Sequence, residues 1–156
     1  MKKISFFIAI ILLGSVCFAQ KIDKGQVPPA VKSMLFTKVQ DTTAPTWEKA
    51  GEMYTASFTK GELLATVDIK QSGEWVRTVW TMPYKYVPQK IKDNVVANYA
   101  GYKVQKSSIE YRTDGDYYVI KTKKKKDVKS LLYNLKGEFV KLDSDLITPV
   151  AVPKPN

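Results

Sequence analysis

Val27-Pro28 recurs as Val87-Pro88, 60 residues further on. Gly51-Glu52-Met53-Tyr54 recurs as Gly115-Asp116-Tyr117-Tyr118, and Gly73-Glu74-Trp75-Val76 as Gly137-Glu138-Phe139-Val140, both 64 residues further on. Recurrence at a fixed spacing marks one supersecondary unit used more than once. The change from 60 to 64 places an insertion of four residues between helix and strands in one copy. Whatever the first unit folds into, the second is expected to fold into as well.

The periodicity says what that unit is. After Val27-Pro28-Pro29, residues Val31, Met34, Leu35 and Val39 fall on one helical face, and proline is tolerated in a first helical turn. The period then drops to two. Tyr54, Ala56 and Phe58 alternate with Met53, Thr55, Ser57 and Thr59, and Leu63, Ala65, Val67 and Ile69 alternate with more polar residues. Lys60-Gly61 and Gln71-Ser72-Gly73 are turn signals. A strand follows from Trp75 to Thr81, and a short stretch around Trp47 reads as another. Val87-Pro88 then opens a second helix with Ile91, Val95 and Tyr99 on one face. Strands follow at Val104 to Tyr111, Asp116 to Lys123, Val128 to Leu135 and Glu138 to Leu142, with turns at Asp114-Gly115 and Lys136-Gly137. The expected fold is α+β: two tandem units, each a helix followed by an antiparallel sheet, over residues 20–86 and 87–143. Residues 144–156, with Pro149, Pro153 and Pro155, read as a mobile C-terminal tail.

The N-terminus reads as an address. Lys2-Lys3 precede an apolar run from Ile4 to Phe18, 15 residues long, whereas a membrane-spanning helix needs about 20. Cys17 and Ala19 are small residues placed for cleavage before Gln20, as in a secretory signal. Gly14-Ser15-Val16 is a poor match to lipoprotein processing at Cys17, which favours Leu first and a small residue last. Cleavage of residues 1–19 would leave 137 of the 156 residues. It would lower the net charge from +10 to +8, because Lys2 and Lys3 leave and no acid does. The product would be periplasmic or secreted, with no transmembrane anchor.

Composition closes several chemistries. The chain has no histidine, and its one cysteine is Cys17. The mature part therefore has no Ser-His-Asp or Cys-His catalysis and none of the usual zinc, copper or haem ligands. It also has no disulfide. The acids stand singly in turns and strands, Asp68 and Glu110 among them, with no motif for paired-carboxylate chemistry. No phosphate-cradling glycine loop or calcium loop is present. The chain is expected to be no enzyme and to hold no cofactor.

The order of these signals resembles the beta-lactamase-inhibitor-like, PepSY-like family of exported bacterial proteins. The residues that carry the likeness are Val27-Pro28, Trp47-Glu48-Lys49, Tyr54-Thr55-Ala56-Ser57-Phe58, Gly73-Glu74-Trp75, Val87-Pro88, Tyr99-Ala100-Gly101-Tyr102-Lys103-Val104 and Gly137-Glu138-Phe139. The likeness spans Val27 to Asp143. It implies a helix packed on an antiparallel sheet in each unit, an exported location, and binding or inhibition of another protein. It carries no catalytic residues.

A sheet covered by helices on one face leaves the other for a partner. Strict alternation from Trp75 puts Trp75, Arg77 and Val79 on one face and Val76, Thr78 and Trp80 on the other. The repeat sets Phe139 and Lys141 in the places of Trp75 and Arg77. Aromatics beside arginine or lysine are the usual material of a binding hot spot. Trp75, Arg77, Met53, Tyr117, Phe139 and Lys141 are thus the candidate partner-binding residues. The other reading buries Trp75 and Phe139 in the core and leaves Val76 and Val140 outside. Lys121 with Lys123, Lys124, Lys125 and Lys126 forms a basic cluster at a hairpin tip. It reads either as a site for an envelope polyanion, small ligand or acidic partner or as a solvated turn that keeps a sheet edge soluble. Export argues against nucleic acid, despite the basic charge. The leading expectation is an exported, non-catalytic protein that engages an unidentified protein or peptide through the open face of its sheet.

Overall fold

The computed structural model describes residues 19–40 and 44–143. The signal segment with Cys17 and the predicted tail at 144–156 therefore lie outside the described residues. Strand β1 (Gln20–Ile22) is followed by a 3-10 turn at Lys24–Gln26 and helix α1 (Pro29–Lys38). Strands β2 (Thr46–Ala50), β3 (Met53–Lys60), β4 (Leu63–Lys70) and β5 (Trp75–Met82) come next. A second 3-10 turn at Tyr84–Tyr86 leads into helix α2 (Gln89–Asn98). Strands β6 (Lys103–Arg112), β7 (Gly115–Lys124), β8 (Asp127–Asn134) and β9 (Phe139–Leu142) complete the chain.

All nine strands join one sheet in sequence order, β1 to β9. Every neighbouring pair is antiparallel. Strands of the two halves therefore share one sheet through the β5–β6 pairing rather than forming two. β1 has no counterpart in the sequence reading. Its three residues pair with β2, where Ile22 lies opposite Trp47 and packs on the core.

The helices begin where the prolines put them. Pro28 and Pro88 sit at the N-caps with extended backbone, φ −57° and −53°. Proline's missing N–H costs nothing there, because the first turn has no acceptor for it. α1 buries Val31 and Leu35, with Met34 and Val39 packed beside them. α2 buries Ile91 and Val95. Phe36 and Val96 point away and are exposed.

Both helices cover the same face. The register runs Ala65 to Trp80, Trp80 to Ile109, Ile109 to Tyr118 and Tyr118 to Tyr133. Residues directly opposite one another in adjacent strands share a face. Ala65 and Trp80 pack in the core under α1 and Tyr118 and Tyr133 in the core under α2. The opposite face carries neither helix.

A glycine turn fastens each helix to the sheet. Gly73, at φ +90°, lies so close to α1 that a Cβ on it would stand 3.1 Å from the Ala30 Cβ and 3.3 Å from the Ala30 carbonyl oxygen. Gly137, at φ +74°, stands likewise against Lys90 and Ile91 of α2. Gly73→Ala therefore combines left-handed strain with crowding against backbone, and should cost about 2 kcal/mol. Gly25→Ala, where nothing lies within 4 Å and φ is not in the left-handed range, should be near neutral. Urea midpoints of the two variants check the contrast.

The register also relocates the insertion. Thr46–Ala50 pairs with Ser57–Met53 as Lys106–Glu110 pairs with Lys121–Tyr117. Hairpin β6–β7 then runs on for Tyr111 opposite Asp116 and Arg112 opposite Gly115. The four extra residues thus lengthen each arm of this hairpin by two, instead of standing between helix and strands. Extending two paired strands keeps the ladder and its face alternation intact.

The open face of the sheet as candidate functional site

The open face is built from the alternate residues that the helices do not touch. Thr55 of β3 stands opposite Asp68 of β4, Asp68 opposite Arg77 of β5, and Arg77 opposite Arg112 of β6. One row along, Val79, Glu110 and Tyr117 are opposed in turn. Asp68, Val79, Glu110, Val119 and Leu132 are buried on this face without a helix above them. The face is therefore not flat: twisted neighbouring strands and their long side chains close over its centre.

Two arginines hold the buried acids. Arg77 Nε donates to Asp68 Oδ2 at 2.6 Å, and Thr55 Oγ1 donates to Asp68 Oδ1 at 2.7 Å. Arg112 Nε and Nη2 donate to Glu110 Oε2 at 2.9 and 2.7 Å, and the same Nη2 reaches Asp143 Oδ2 at 2.8 Å. Ser108 Oγ donates to the other Glu110 oxygen at 3.3 Å. The Arg112 guanidinium also lies 5.6 Å from the Tyr117 ring centre, within cation–π range. Charges with several partners in a low-dielectric setting are held in one geometry. Three acids that stand singly in the sequence are thus gathered on one face, Asp68 with Arg77, and Glu110 and Asp143 with Arg112.

At the edge of this network lies a cleft of about 220 Å³, lined by Val76, Arg77, Arg112, Thr113, Asp114, Lys141 and Asp143. One wall is the extended part of hairpin β6–β7. The other is made where β5 and β9 each carry a bulge. Among the described residues, no group of three or more His, Cys, Asp or Glu side chains is placed to hold a metal ion. Nor, among them, is any helix long and apolar enough to cross a membrane.

A family model of beta-lactamase-inhibitor-like, PepSY-like proteins matches residues 52–141, more than half of the chain. The chain belongs to this PepSY-like family. No curated protein matches it. Solved structures share its fold. A BLIP-like protein from Bacteroides fragilis NCTC 9343 is similar at TM-score 0.65 and 18% identity, over 76% of this chain and 88% of that one. A DUF2874-family protein from Bacteroides ovatus ATCC 8483 is similar at TM-score 0.65 and 19% identity, over 78% and 94%. A periplasmic protein from Bacteroides eggerthii DSM 20697 is similar at TM-score 0.63 and 18% identity, over 75% and 88%.

In this PepSY-like chain the bulges correct the face assignment made by strict alternation. Ile69 pairs with Trp75 but Asp68 with Arg77, so Val76 is an extra residue. Tyr133 pairs with Phe139 but Leu132 with Lys141, so Val140 is its equivalent. A bulge opposes two residues to one and resets the alternation beyond it. Trp75 therefore joins Trp80 on the helix side, leaving Arg77 behind. It packs on the core under α1, its Nε1 donates to Thr78 Oγ1 at 3.0 Å, and Lys38 Nζ caps its ring at 4.1 Å. Phe139 also lies on the helix side, edge-on to Tyr133 at 5.6 Å, and is half-exposed. Arg77, Lys141, Met53, Tyr117 and Lys121 lie on the open face.

The basic hairpin of the PepSY-like chain is split as well. Lys121 is opposite Lys106, and Lys123 opposite Lys103, on the open face. Lys124 folds back over the Tyr102 ring at 5.6 Å. Tyr102 donates a short hydrogen bond to the Asp127 carboxylate, which Lys129 also approaches at 3.3 Å. These contacts hold the Asp127 carboxyl below its ordinary range, the Tyr102 bond most of all. Lys125 and Lys126 form the tip, where Lys125 takes φ +56°. Asp68, Glu110, Arg112 and Asp143 were missed as site residues. The Glu-x-Arg spacing of Glu110 and Arg112 within a strand was the available signal, since residues two apart share a face.

Proposed function

We propose that this PepSY-like protein is an exported, non-catalytic binding module that engages or inhibits a protein or peptide through the open face of its sheet. The carrying observation is the fixed charged network Asp68–Arg77 and Glu110–Arg112–Asp143 beside a cleft, on the face that neither helix covers. A preformed polar surface gives orientation and specificity at little ordering cost. The non-catalytic reading rests on composition: the chain has no histidine, its one cysteine is Cys17, and its acids form no paired-carboxylate motif. Met53, Arg77, Tyr117 and Lys141 are the contact residues of this reading, while Trp75 and Phe139 support it from the helix side. Export rests on the signal pattern at 1–19 and on the periplasmic description of the Bacteroides eggerthii protein. The domain reading is two copies of one unit, 20–86 and 87–143, sharing a sheet.

The test is capture from an envelope extract with the mature chain as bait. A Met53→Asp, Tyr117→Ala variant should lose the captured protein, while Phe36→Asp, on the outer side of α1, should keep it. Equal capture by both sinks the open-face reading. A second reading, binding of an envelope polyanion or small ligand, is favoured by the opposed pairs Lys106–Lys121 and Lys103–Lys123. Like charges directly opposite repel and would be relieved by an anion. That binding would fall steeply with ionic strength and should survive Met53→Asp, Tyr117→Ala, which removes the first.

A further inference from the structure

We infer that the cleft between the extended β6–β7 hairpin and the β5 and β9 bulges is a receptor for a single carboxylate presented by a protein segment. This inference rests on the open-face reading and names the chemistry of that same site.

Arg77 uses one donor, Nε, on Asp68. Its two terminal nitrogens have no hydrogen-bond partner among the described residues. A guanidinium is a planar fork whose second edge fits a carboxylate with two parallel hydrogen bonds. The fork is already oriented, because Asp68 is itself buried and anchored by Thr55 Oγ1 at 2.7 Å. Lys141, exposed and without an ion-pair partner among the described residues, lines the same cleft, and so does Arg112. Arg112 is committed to Glu110 and Asp143, so the cations left to a ligand are Arg77 and Lys141.

The walls also decide between one negative charge and many. Asp114 and Asp143 line the cleft alongside the cations. A phosphorylated or sulfated polymer would press its further charges against Asp114, since Asp143 is held by Arg112. One carboxylate flanked by uncharged residues meets only the two cations, with Val76 and Thr113 beside them. The lengthened hairpin β6–β7 carries Arg112 and, at its turn, Thr113 and Asp114; hairpin β2–β3 of the first half is four residues shorter and carries no such wall.

The test uses a capped pentapeptide with one glutamate among alanines, titrated into the ¹⁵N-labelled mature protein. The Arg77 side-chain Nε–H and the Thr113 and Asp114 amides should shift and saturate. The glutamine analogue should leave them unmoved. Arg77→Lys, which keeps the charge beside Asp68 but loses the fork, and Lys141→Gln should each weaken binding by about fivefold or more. The double variant Lys125→Gln, Lys126→Gln removes two charges at the tip of hairpin β7–β8, more than either cleft variant, and should change nothing. A glutamine peptide with a free C-terminus tells a side-chain carboxylate from a terminal one; saturation by either supports the assignment. Equal binding of the capped glutamine analogue would overturn it. So would tighter binding of inorganic phosphate or of phosphatidylglycerol vesicles, or indifference to both Arg77→Lys and Lys141→Gln. Failure of the peptide with envelope capture intact removes the carboxylate and leaves the open-face reading standing.

Discussion

Arg112→Ala should lower the unfolding free energy by about 3–5 kcal/mol, because it takes the cation away from two buried carboxylates at once. Only 6% of the Glu110 side chain and 4% of the Asp143 side chain are exposed, and both rest on Arg112 Nη2, at 2.7 and 2.8 Å. An ion pair at the surface is worth about 0–1 kcal/mol, but here the desolvation cost of the acids persists when the cation is gone. The cost should therefore fall when the acids are removed as well. Adding Glu110→Gln and Asp143→Asn to Arg112→Ala should restore about half of the loss. Denaturant midpoints of the single and triple variants decide it. A single variant within 1 kcal/mol of the parent would mean that water solvates these carboxylates in the folded state.

Tyr133→Ala should be comparably damaging, at about 3–5 kcal/mol, through the cavity it leaves. Tyr133 is the largest fully buried side chain among the described residues. Its ring edges Phe139, and its hydroxyl donates to Asn94 Oδ1 on α2 at 2.9 Å. Tyr133→Phe keeps the ring and removes only that bond, so about 1 kcal/mol is expected. The two variants also differ from the parent in alkali. Burial, with lesser help from Tyr99 and Tyr84, holds the Tyr133 phenol well above its ordinary value of 10.0. Above pH 10 an unfolded tyrosine gives up its proton while the buried one does not, so unfolding is favoured progressively as pH rises. Below pH 10 the contribution is fully present. The parent should therefore lose more stability than Tyr133→Phe between pH 9 and 11.5. Parallel curves would show that Tyr133 ionises equally in both states.

Much of the architecture was legible. The helices start within two residues of the expected places because Val-Pro is a local instruction: proline sets its own φ and belongs at a helix start. The strands from Trp47 onwards follow from period-two alternation and glycine turns. What failed was any statement about the face beyond a bulge. Trp75 and Arg77 are two residues apart, and alternation puts them together. Val76 separates them, and nothing in the residues Trp75-Val76-Arg77 marks it as the extra one. Its status comes from pairing with Asp68 and Ile69, which the chain reaches only through a turn. β1 escaped for a similar reason, since three residues carry no period and gain their strand only by pairing with β2.

The candidate site was legible in part. Arg77, Met53, Tyr117 and Lys141 were chosen for an open face and lie on one. The buried acids beside them are legible in part: Glu110 stands 2 residues from Arg112 in one strand, but Asp143, 31 residues away, reaches Arg112 only through strand pairing. Which distant acid meets which arginine, as Asp68 meets Arg77, is a matter of register between strands.

Local residue patterns alone determined two amphipathic helices, a train of antiparallel strands and the exclusion of histidine and thiol chemistry from the mature chain, since each depends on composition or on neighbours within a few residues. The tertiary structure alone decided that the strands form one sheet with both helices on one side, that two bulges put Trp75 and Phe139 on the helix side and Arg77 and Lys141 on the open face, and that a lengthened hairpin walls a cleft. These outcomes depend on pairing between distant strands, where a slip of one residue reverses every side chain.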